Sequence, residues 1–319
     1  MDENQPLRQL TATSANHAVQ QWVVSDAHSG RRLDVFLAAH LPDITRREIV
    51  EWVAAGHAQI NGRVSAKGTL LHPGDTVTLQ TRLTLPANPN LPIQILWADD
   101  AVVVINKPSG IPSVALRHDE TDTVANFLLA HFPDIATTSP RPLEAGVVHR
   151  LDTATSGVLL AARTPQAYDR LREQFRNRTV EKQYLALVHG QLSQSGTRRS
   201  SLTPTGRRGQ CMHEVPTGRG QEAHTVYVPV TQFADHTLVR VTIPTGVRHQ
   251  IRVHLAALGH PIVGDVVYGN PKEHERLCLH AERLSLLHPQ TRTHMQFTCP
   301  PPEDFQVVQT RVKNMRAIS

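Results

Sequence analysis

The sequence predicts an α+β protein in which a small α/β module precedes a larger domain with a mixed, mainly antiparallel sheet. The first observation is length, since 319 residues are enough for about two domains. The second is a proline-rich segment, residues 83–92, which separates two stretches of regular hydrophobic patterning. The third is the longer stretch itself, where strand and helix patterns alternate without settling into βαβ repeats.

Composition excludes several classes of protein. Hydrophobic residues make up 39% of the chain and charged residues 19%, which is enough apolar material for a sizeable core. No apolar run approaches the roughly 18 residues of a spanning helix, and the first residues lack the apolar segment of a secretory signal. Three cysteines do not make a disulfide framework, and their odd number suits a reducing compartment. We therefore expect a cytoplasmic protein with no membrane association.

Four segments follow from these patterns. Residues 1–18 are polar and aperiodic, which predicts a flexible tail. Residues 19–82 have the pattern of a compact module, and residues 83–92 form a stiff, extended linker. The larger domain occupies residues 93–312.

Two helices and a small sheet are predicted in the first module. The apolar side chains of the first helix share one face: Leu33, Phe36 and Leu37. Thr45 and Glu48 are spaced as a capping box, which starts the second helix. The Asn61-Gly62 pair between two short apolar runs predicts a tight β-hairpin.

The larger domain contains long apolar runs typical of buried strands. We predict strands at residues 101–105, 158–162, 180–188, 238–243 and 277–287. Thr164-Pro165 marks the start of a helix, because proline is well tolerated at the first helical position. A second, short helix is predicted at residues 250–258.

The charge of the chain points to an anionic partner. Of the 33 basic residues 28 are arginine, and the formal net charge is +5. Residues 141–219 hold 13 basic and 6 acidic side chains, so this quarter of the chain carries the positive excess. Arginine forks match phosphate oxygens and stack on bases, which predicts RNA or DNA as the partner.

Three separate segments combine a tight turn with a charged or phenolic side chain. Asp152 lies between two apolar stretches, where an ionised carboxylate is costly unless a cation accompanies it. Tyr184 places a phenol on one face of a strand, and Arg252 falls in the first turns of the short helix. We expect these three side chains to form one site, with the arginine holding the carboxylate and the tyrosine flanking a substrate.

The first module resembles the alpha-L RNA-binding module, which a small-subunit ribosomal protein shares with several RNA-modifying enzymes. The similarity rests on four short segments, at residues 32–34, 45–47, 56–62 and 73–75. It implies that the start of the second helix faces RNA, with Arg46 and Arg47 as RNA-binding residues beside exposed N–H groups.

The larger domain is similar to the RluA family of pseudouridine synthases. The matching motifs occur in the family's order, at residues 106–110, 149–157, 181–188, 249–254, 259–265 and 279–284. The two similarities together cover nearly all of residues 19–310. Six ordered motifs are far more specific than any one of them. The resemblance implies a catalytic domain with a central cleft that isomerises uridine to pseudouridine in RNA without a cofactor.

The resemblance also implies roles for individual residues. Asp152 matches the family's essential aspartate, which acts on the ribose of a flipped-out uridine while the glycosidic bond breaks. The sequence leaves open whether that carboxylate adds to the sugar or removes a ribose proton. Tyr184 matches the tyrosine that packs on the base, and Arg252 matches the basic residue that pairs with the aspartate.

Three further residues of the Asp152 motif are assigned to substrate binding. Arg150 matches a residue that fills the gap left in the RNA stack, and His149 and Thr155 belong to the same motif. One departure from the family pattern concerns Arg248, which comes one position later than expected because Val247 takes its place. We therefore assign no role to Arg248.

The sequence fits other functions less well. Nineteen histidines suggest a zinc hydrolase, but paired ligand clusters are missing, so we expect no metal ion. A glycosidase would need a second carboxylate to partner Asp152, and none stands nearby in a comparable motif. Among members of the family, an attached RNA-binding module is more typical of enzymes that act on large-subunit (23S) ribosomal RNA than of those that act on transfer RNA. We therefore expect large-subunit ribosomal RNA as the substrate, with transfer RNA as the alternative. A non-catalytic RNA-binding protein is the alternative from another class, and we expect a monomer.

Overall fold

A computed structural model of the protein describes residues 9–12, 18–42, 44–81, 85–270 and 276–314. The chain divides into two compact units between Pro86 and Ala87, which is inside the segment predicted as a linker. Two short pieces from beyond that point, Ala115–Thr121 and Arg141–Leu143, group with the first unit.

The first unit contains two helices and a five-stranded antiparallel sheet. The helices are α1 (Leu33–His40) and α2 (Arg46–Ala54). The strands are β1 (Gln9–Ala12), β2 (Ala18–Val23), β3 (Ala58–Ile60), β4 (Arg63–Val64) and β5 (Thr76–Thr81). They lie in the order β1-β2-β5-β3-β4. The predicted apolar face of α1 is confirmed, because its three side chains are fully buried in the core of this unit.

Local sequence signals explain where these elements begin and end. Thr45 Oγ1 accepts the backbone N–H of Glu48 at 3.3 Å and so caps α2. Asn61 and Gly62 have φ angles of 50° and 78°, and they connect β3 to β4 as a two-residue turn. The predicted hairpin is therefore confirmed.

The segment predicted as a flexible tail differs from the structure in part. Gln9–Ala12 form β1, which pairs with the outer edge of β2 in antiparallel register. An exposed strand edge presents unpaired N–H and C=O groups, and a short polar segment with alternating apolar residues satisfies them. The other positions of the predicted tail up to residue 17 lie outside the described residues.

The second unit is built on a ten-stranded mixed sheet. Its strands are β6 (Gln94–Ala98), β7 (Val102–Lys107), β8 (Ser156–Ala162), β9 (Glu181–His189), β10 (Gly196–Thr205), β11 (Cys211–Val215), β12 (Gln221–Gln232), β13 (His236–Thr242), β14 (Leu279–Leu287) and β15 (His294–Thr298). Their order is β11-β10-β12-β13-β9-β14-β8-β7-β6, with β15 also paired to β14. Within the described residues only the β14–β8 pair is parallel. The predicted α+β class with a mainly antiparallel sheet is confirmed.

Four helices accompany this sheet. They are α3 (Val124–His131), α4 (Pro165–Arg176), α5 (Gln250–Ala257) and α6 (Glu303–Asn314). Thr164 caps α4, and Pro165 is its first residue, as predicted. The apolar side of α4 packs on β7 and β8 in the main core, through Ala167 and Leu171.

The central strands match the predicted segments, whereas the outer part of the sheet contains strands that were not predicted. Strands β10, β11 and β12 form an antiparallel arm whose residues were not predicted as strands. The stretch 206–213 supplies the turn between β10 and β11 and the start of β11. In the described part of the chain, no helix is long and apolar enough to cross a membrane.

Candidate active site

Asp152 lies in a short loop, residues 151–155, that runs directly into β8. The backbone N–H of Thr155 donates to the carbonyl of Asp152 at 2.9 Å, which closes the loop as a tight turn. Ser113 Oγ donates to the carbonyl of Leu151 at 2.8 Å and anchors the start of the loop. These two contacts fix the loop, and the Asp152 side chain is 24% exposed, so its carboxylate is open to a ligand.

A buried lysine ties the Asp152 loop to the segment after β7. Lys107 is fully buried, and its Nζ donates to the carbonyls of Pro108, Ile111 and Thr153 at 2.9, 2.7 and 3.1 Å. Burial lowers the pKa of Lys107 to about 7, while the negative charge of Asp152 opposes that shift. The protonated ammonium has three N–H donors, and in this form Lys107 satisfies the three backbone carbonyls at once.

Arg252, in the first turn of α5, is the charged partner closest to Asp152. Its Nε and Nη2 each donate to Asp265 at 2.8 Å, which is a bidentate pair. Its Nη1 lies 3.6 Å from Asp152 Oδ2. Burial lowers the pKa of Arg252, but the hydrogen bonds and charge of Asp265 outweigh it, so the pKa stands above its ordinary value. The guanidinium is fixed by one carboxylate and directed at another.

Asp265 is the buried half of that pair, with 1% of its surface exposed. Its Oδ1 also accepts the backbone N–H groups of Val267 and Tyr268, both at 3.0 Å. Burial raises the pKa of Asp265, but the hydrogen bonds and charge of Arg252 exceed that effect, and the pKa lies below its usual value. Asp265 is therefore an ionised anchor for Arg252.

Tyr184 lies in the middle of β9, between its register partners Val241 on β13 and Ala281 on β14. It is 7% exposed. Burial raises the pKa of its phenol, and the negative charge of Asp152 raises it further. The phenol is therefore neutral near pH 7 and offers an apolar ring with a hydroxyl that can donate.

Two residues that the sequence analysis left without a role complete the surroundings of Asp152. His249, the residue before α5, has a φ of 56°, and its Nε2 lies 4.0 Å from Asp152 Oδ2. Its Nδ1 is 2.8 Å from the hydroxyl of Tyr268. The Tyr268 ring lies under the Arg252 guanidinium, 5.1 Å from centroid to Cζ. His249 and Asp265 stand inside motifs that carried the family resemblance, whereas Tyr268 lies just beyond one.

The predicted substrate-binding residues of the Asp152 motif have three different environments. Arg150 is exposed beside the loop. His149 instead stacks on Phe175, with ring centroids 4.8 Å apart, and its Nε2 accepts the backbone N–H of Leu160 at 3.1 Å. Thr155 is buried, and its Oγ1 has no hydrogen-bond partner among the residues that the structure describes.

Arg46 and Arg47 lie in the first unit, at the start of α2 as predicted. Arg46 Nη2 is 3.1 Å from Asp34 Oδ2, and Asp34 is buried. Arg47 makes an exposed pair with Glu51 one helical turn on, at 2.9 Å. Both guanidinium groups remain largely accessible to solvent. The structure therefore shows two cations at a helix start and leaves their contact with RNA as a prediction.

The chain contains 19 histidines, and histidine is a common metal ligand. Across the described ranges, no group of three or more His, Cys, Asp or Glu side chains is arranged to hold a metal ion. The three cysteines carry free thiols.

Comparison with known proteins gives two family matches. The RNA pseudouridylate synthase family matches residues 101–257, which include Asp152, Tyr184 and Arg252. The S4 domain matches residues 31–77, inside the first unit, and confirms the predicted N-terminal RNA-binding module.

Individual proteins support the same assignment. The chain is 38% identical over 309 residues to ribosomal large subunit pseudouridine synthase D of Xanthomonas campestris, covering 91% of each chain. It is 34% identical over 317 residues to the protein of the same name from Escherichia coli K12, covering 93% of this chain and 92% of the relative. Among solved structures, human RNA pseudouridylate synthase domain containing 4 superposes with a TM-score of 0.55 at 26% identity. That superposition covers 69% of this chain and 92% of the human one. The chain therefore belongs to the RNA pseudouridylate synthase family, as its resemblance to the RluA-type enzymes predicts.

Proposed function

We propose that the protein converts specific uridines of large-subunit ribosomal RNA into pseudouridine, with Asp152 as the catalytic carboxylate. The observation that carries this proposal is the arrangement of Asp152 and Arg252. The carboxylate sits in an anchored, partly exposed loop, and the guanidinium 3.6 Å away is itself locked by Asp265. A substrate can reach the carboxylate without displacing the cation that stabilises its negative charge.

The chemistry is an isomerisation, so its atoms balance without a co-reactant. The bond between ribose C1′ and uracil N1 breaks, the uracil turns, and a new bond forms between C1′ and C5. The proton on C5 leaves, and N1 gains one. The Asp152 carboxylate acts on the ribose during the cleavage.

The surrounding side chains fit the binding of an extruded nucleotide. A base inside a helix is out of reach, so the target uridine must leave the stack. The Tyr184 phenol is neutral and 7% exposed, and it is the aromatic group that we propose packs on the base. The exposed guanidinium of Arg150, two residues before Asp152, is free to enter the gap left in the RNA.

The identity of the RNA rests on two supports. The relatives from Xanthomonas campestris and Escherichia coli K12, which match over 91% and 93% of this chain, are named as ribosomal large subunit pseudouridine synthases. The S4 domain adds a separate RNA-facing module, where Arg46 and Arg47 are the groups that we propose contact phosphates. We further propose that the enzyme works as a monomer without a metal ion; the support is that the isomerisation balances without a co-reactant and that Arg252 pairs with both Asp152 and Asp265 of its own chain.

A map of pseudouridine in ribosomal and transfer RNA, with and without this gene, tests the proposal. We expect one or more positions in large-subunit RNA to lose the modification. Wild type should restore it, and Asp152→Asn should not, although the variant still binds the RNA. Loss confined to transfer RNA would overturn the substrate assignment. Full rescue by Asp152→Asn would overturn the role of Asp152, and a map that does not change would overturn both.

A further inference from the structure

We propose that His249 is a positioning residue for Asp152, donating from its Nε2–H to Oδ2 and leaving Oδ1 to face the ribose. The inference rests on the proposed role of Asp152 and assigns a function to a side chain that so far has none. It follows from the hydrogen bonds around Tyr268, which decide where the imidazole proton resides.

The hydroxyl of Tyr268 has one proton to give and two neighbours. The backbone N–H of Met212 donates to the phenol oxygen at 2.8 Å, so that contact uses the oxygen as an acceptor. Among the described residues, His249 Nδ1 at 2.8 Å is the only acceptor left for the hydroxyl proton. If Nδ1 carried a proton instead, no group of the described residues would accept the proton of the Tyr268 hydroxyl.

The surroundings of the other ring nitrogen, Nε2, also favour the tautomer that is protonated at Nε2. Nε2 of His249 lies 4.0 Å from Asp152 Oδ2. A bare lone pair on Nε2 would face a negatively charged oxygen, whereas an N–H there is attracted to it. Burial lowers the pKa of His249, so the ring is neutral and carries this one proton near pH 7. Tyr268 therefore holds the ring as the tautomer that points a donor at the carboxylate.

Tyr268 is itself held from three sides. Its backbone N–H donates to Asp265, its hydroxyl receives the Met212 N–H, and its ring lies under the guanidinium of Arg252. The tautomer of His249 is consequently set by groups that also fix Arg252.

Both groups that approach Asp152 do so at the same oxygen. Arg252 Nη1 lies 3.6 Å and His249 Nε2 lies 4.0 Å from Oδ2. Both distances exceed a hydrogen bond, and such contacts in a free enzyme commonly shorten when the substrate binds. Two donors on Oδ2 fix the rotation of the carboxylate and leave Oδ1 as its reacting oxygen.

The test compares two substitutions at His249 whose side-chain amides reach the positions of different ring nitrogens. In His249→Gln, the side-chain amide reaches the position of Nε2 and keeps the donor to Asp152. In His249→Asn, the amide reaches only the position of Nδ1, although asparagine suits the positive φ better than glutamine. The backbone preference and the proposed role therefore predict opposite orders of activity.

We expect His249→Asn to lower kcat about 10- to 100-fold with KM nearly unchanged, and His249→Gln to recover most of it. Tyr268→Phe keeps the ring under Arg252 and should lower kcat by a smaller factor, and it should add little to His249→Asn. Equal activity of the two His249 variants, a higher activity of the asparagine variant, or an effect on KM alone would overturn the inference.

A second measurement does not depend on turnover. Nitrogen-15 NMR of histidine-labelled protein should show the His249 ring protonated at Nε2, and Tyr268→Phe should shift that population toward Nδ1. A wild-type ring protonated at Nδ1 would overturn the inference even if the RNA substrate were misassigned. Conversely, an inactive Asp152→Asn enzyme with normal kcat in His249→Asn would leave the proposed function intact and remove only the role of His249.

Discussion

Arg252 contacts two carboxylates, and the two contacts differ in kind. The one to Asp265 is bidentate and buried, with both distances at 2.8 Å. The one to Asp152 is single, longer and at the surface of the site, where water reaches the carboxylate. A buried charge that loses its partner is left uncompensated, whereas a charge open to water is resolvated. The first contact therefore supports the fold, and the second belongs to the proposed catalytic site.

Removing each carboxylate should separate these two functions. We expect Asp265→Asn to reduce the free energy of unfolding by about 3–5 kcal/mol, because it leaves the Arg252 guanidinium buried without its counter-charge. Asp152→Asn should change it by less than about 1 kcal/mol, since that carboxylate is partly exposed and makes no short hydrogen bond to the arginine. Urea denaturation of both variants measures the difference. Equal losses of stability would contradict this division.

The sequence could predict the three central side chains and not the network around them. Asp152, Tyr184 and Arg252 stand in local motifs, and the structure places Arg252 against Asp152 as expected. The anchor of Arg252 is thirteen residues away, on the far side of a turn, and nothing in local spacing indicates the pairing. His149 shows the converse, since its motif suggested a substrate contact and the folded chain stacks the ring on Phe175.

At the level of elements, β8 and β14 approach each other closely where β8 leaves the Asp152 loop. Ser156 and Gly157 are in parallel register with His280 and Ala281. Gly157 has a φ of 123°, and a Cβ there would lie 2.3 Å from the carbonyl oxygen of Ala281. Only glycine allows both the backbone conformation and the contact, so this residue sets how near the Asp152 loop lies to the centre of the sheet.

Gly157→Ala should therefore be costly. Overpacking against backbone atoms and an unfavourable φ together should lower the free energy of unfolding by about 2–5 kcal/mol. Gly68→Ala is the matched control, because Gly68 has ordinary φ and no heavy atom within 4 Å of the added Cβ. The control should change stability by no more than about 0.5 kcal/mol. Chemical denaturation of the two variants makes the comparison, and a similar effect in both would show that β8 can move away from β14.

Elements buried on both faces could be predicted from the sequence more easily than elements at the edge. Strand β8 is buried at every residue, and its continuous apolar run was recognised. Strand β10 is polar at most of its positions and half of the residues of β12 are exposed, so their segments resemble loops in composition. Strand β1 was missed for a related reason, because four residues pair only by virtue of an edge supplied by β2.

At the level of the whole molecule, the arginines and histidines stabilise the fold in addition to any part they have in function. Several arginines of the basic segment make internal contacts, such as Arg172 with the carbonyl of Val148 and Arg198 with Glu214. The net charge therefore indicates an anionic partner, but fewer arginines are available to bind that partner than the net charge suggests. The histidines behave likewise, since many lie in hydrogen-bonded positions inside the protein.

Two of these histidines make the stability of the molecule depend on pH. Burial lowers the pKa of His149 to about 3 and that of His254 to about 4. In the unfolded chain a histidine titrates near its ordinary value of about 6.5. Between these pKa values the histidine is protonated in the unfolded state and neutral in the folded state. Its contribution to the free energy of unfolding is therefore fully present above about pH 6.5 and is lost as the pH is lowered. Each histidine contributes a slope of up to about 1.4 kcal/mol per pH unit in its window.

We expect His149→Gln to remove one such contribution, because its amide oxygen still accepts the backbone N–H of Leu160 but does not titrate. The free energy of unfolding, measured by urea denaturation from pH 7 to pH 4, should therefore fall less steeply in this variant than in wild type. His294→Gln, at an exposed position on β15, controls for the substitution itself and should keep the wild-type slope. A slope that stays the same in His149→Gln would show that the imidazole gains its proton without unfolding, and that the stacked position beside Phe175 tolerates the charge.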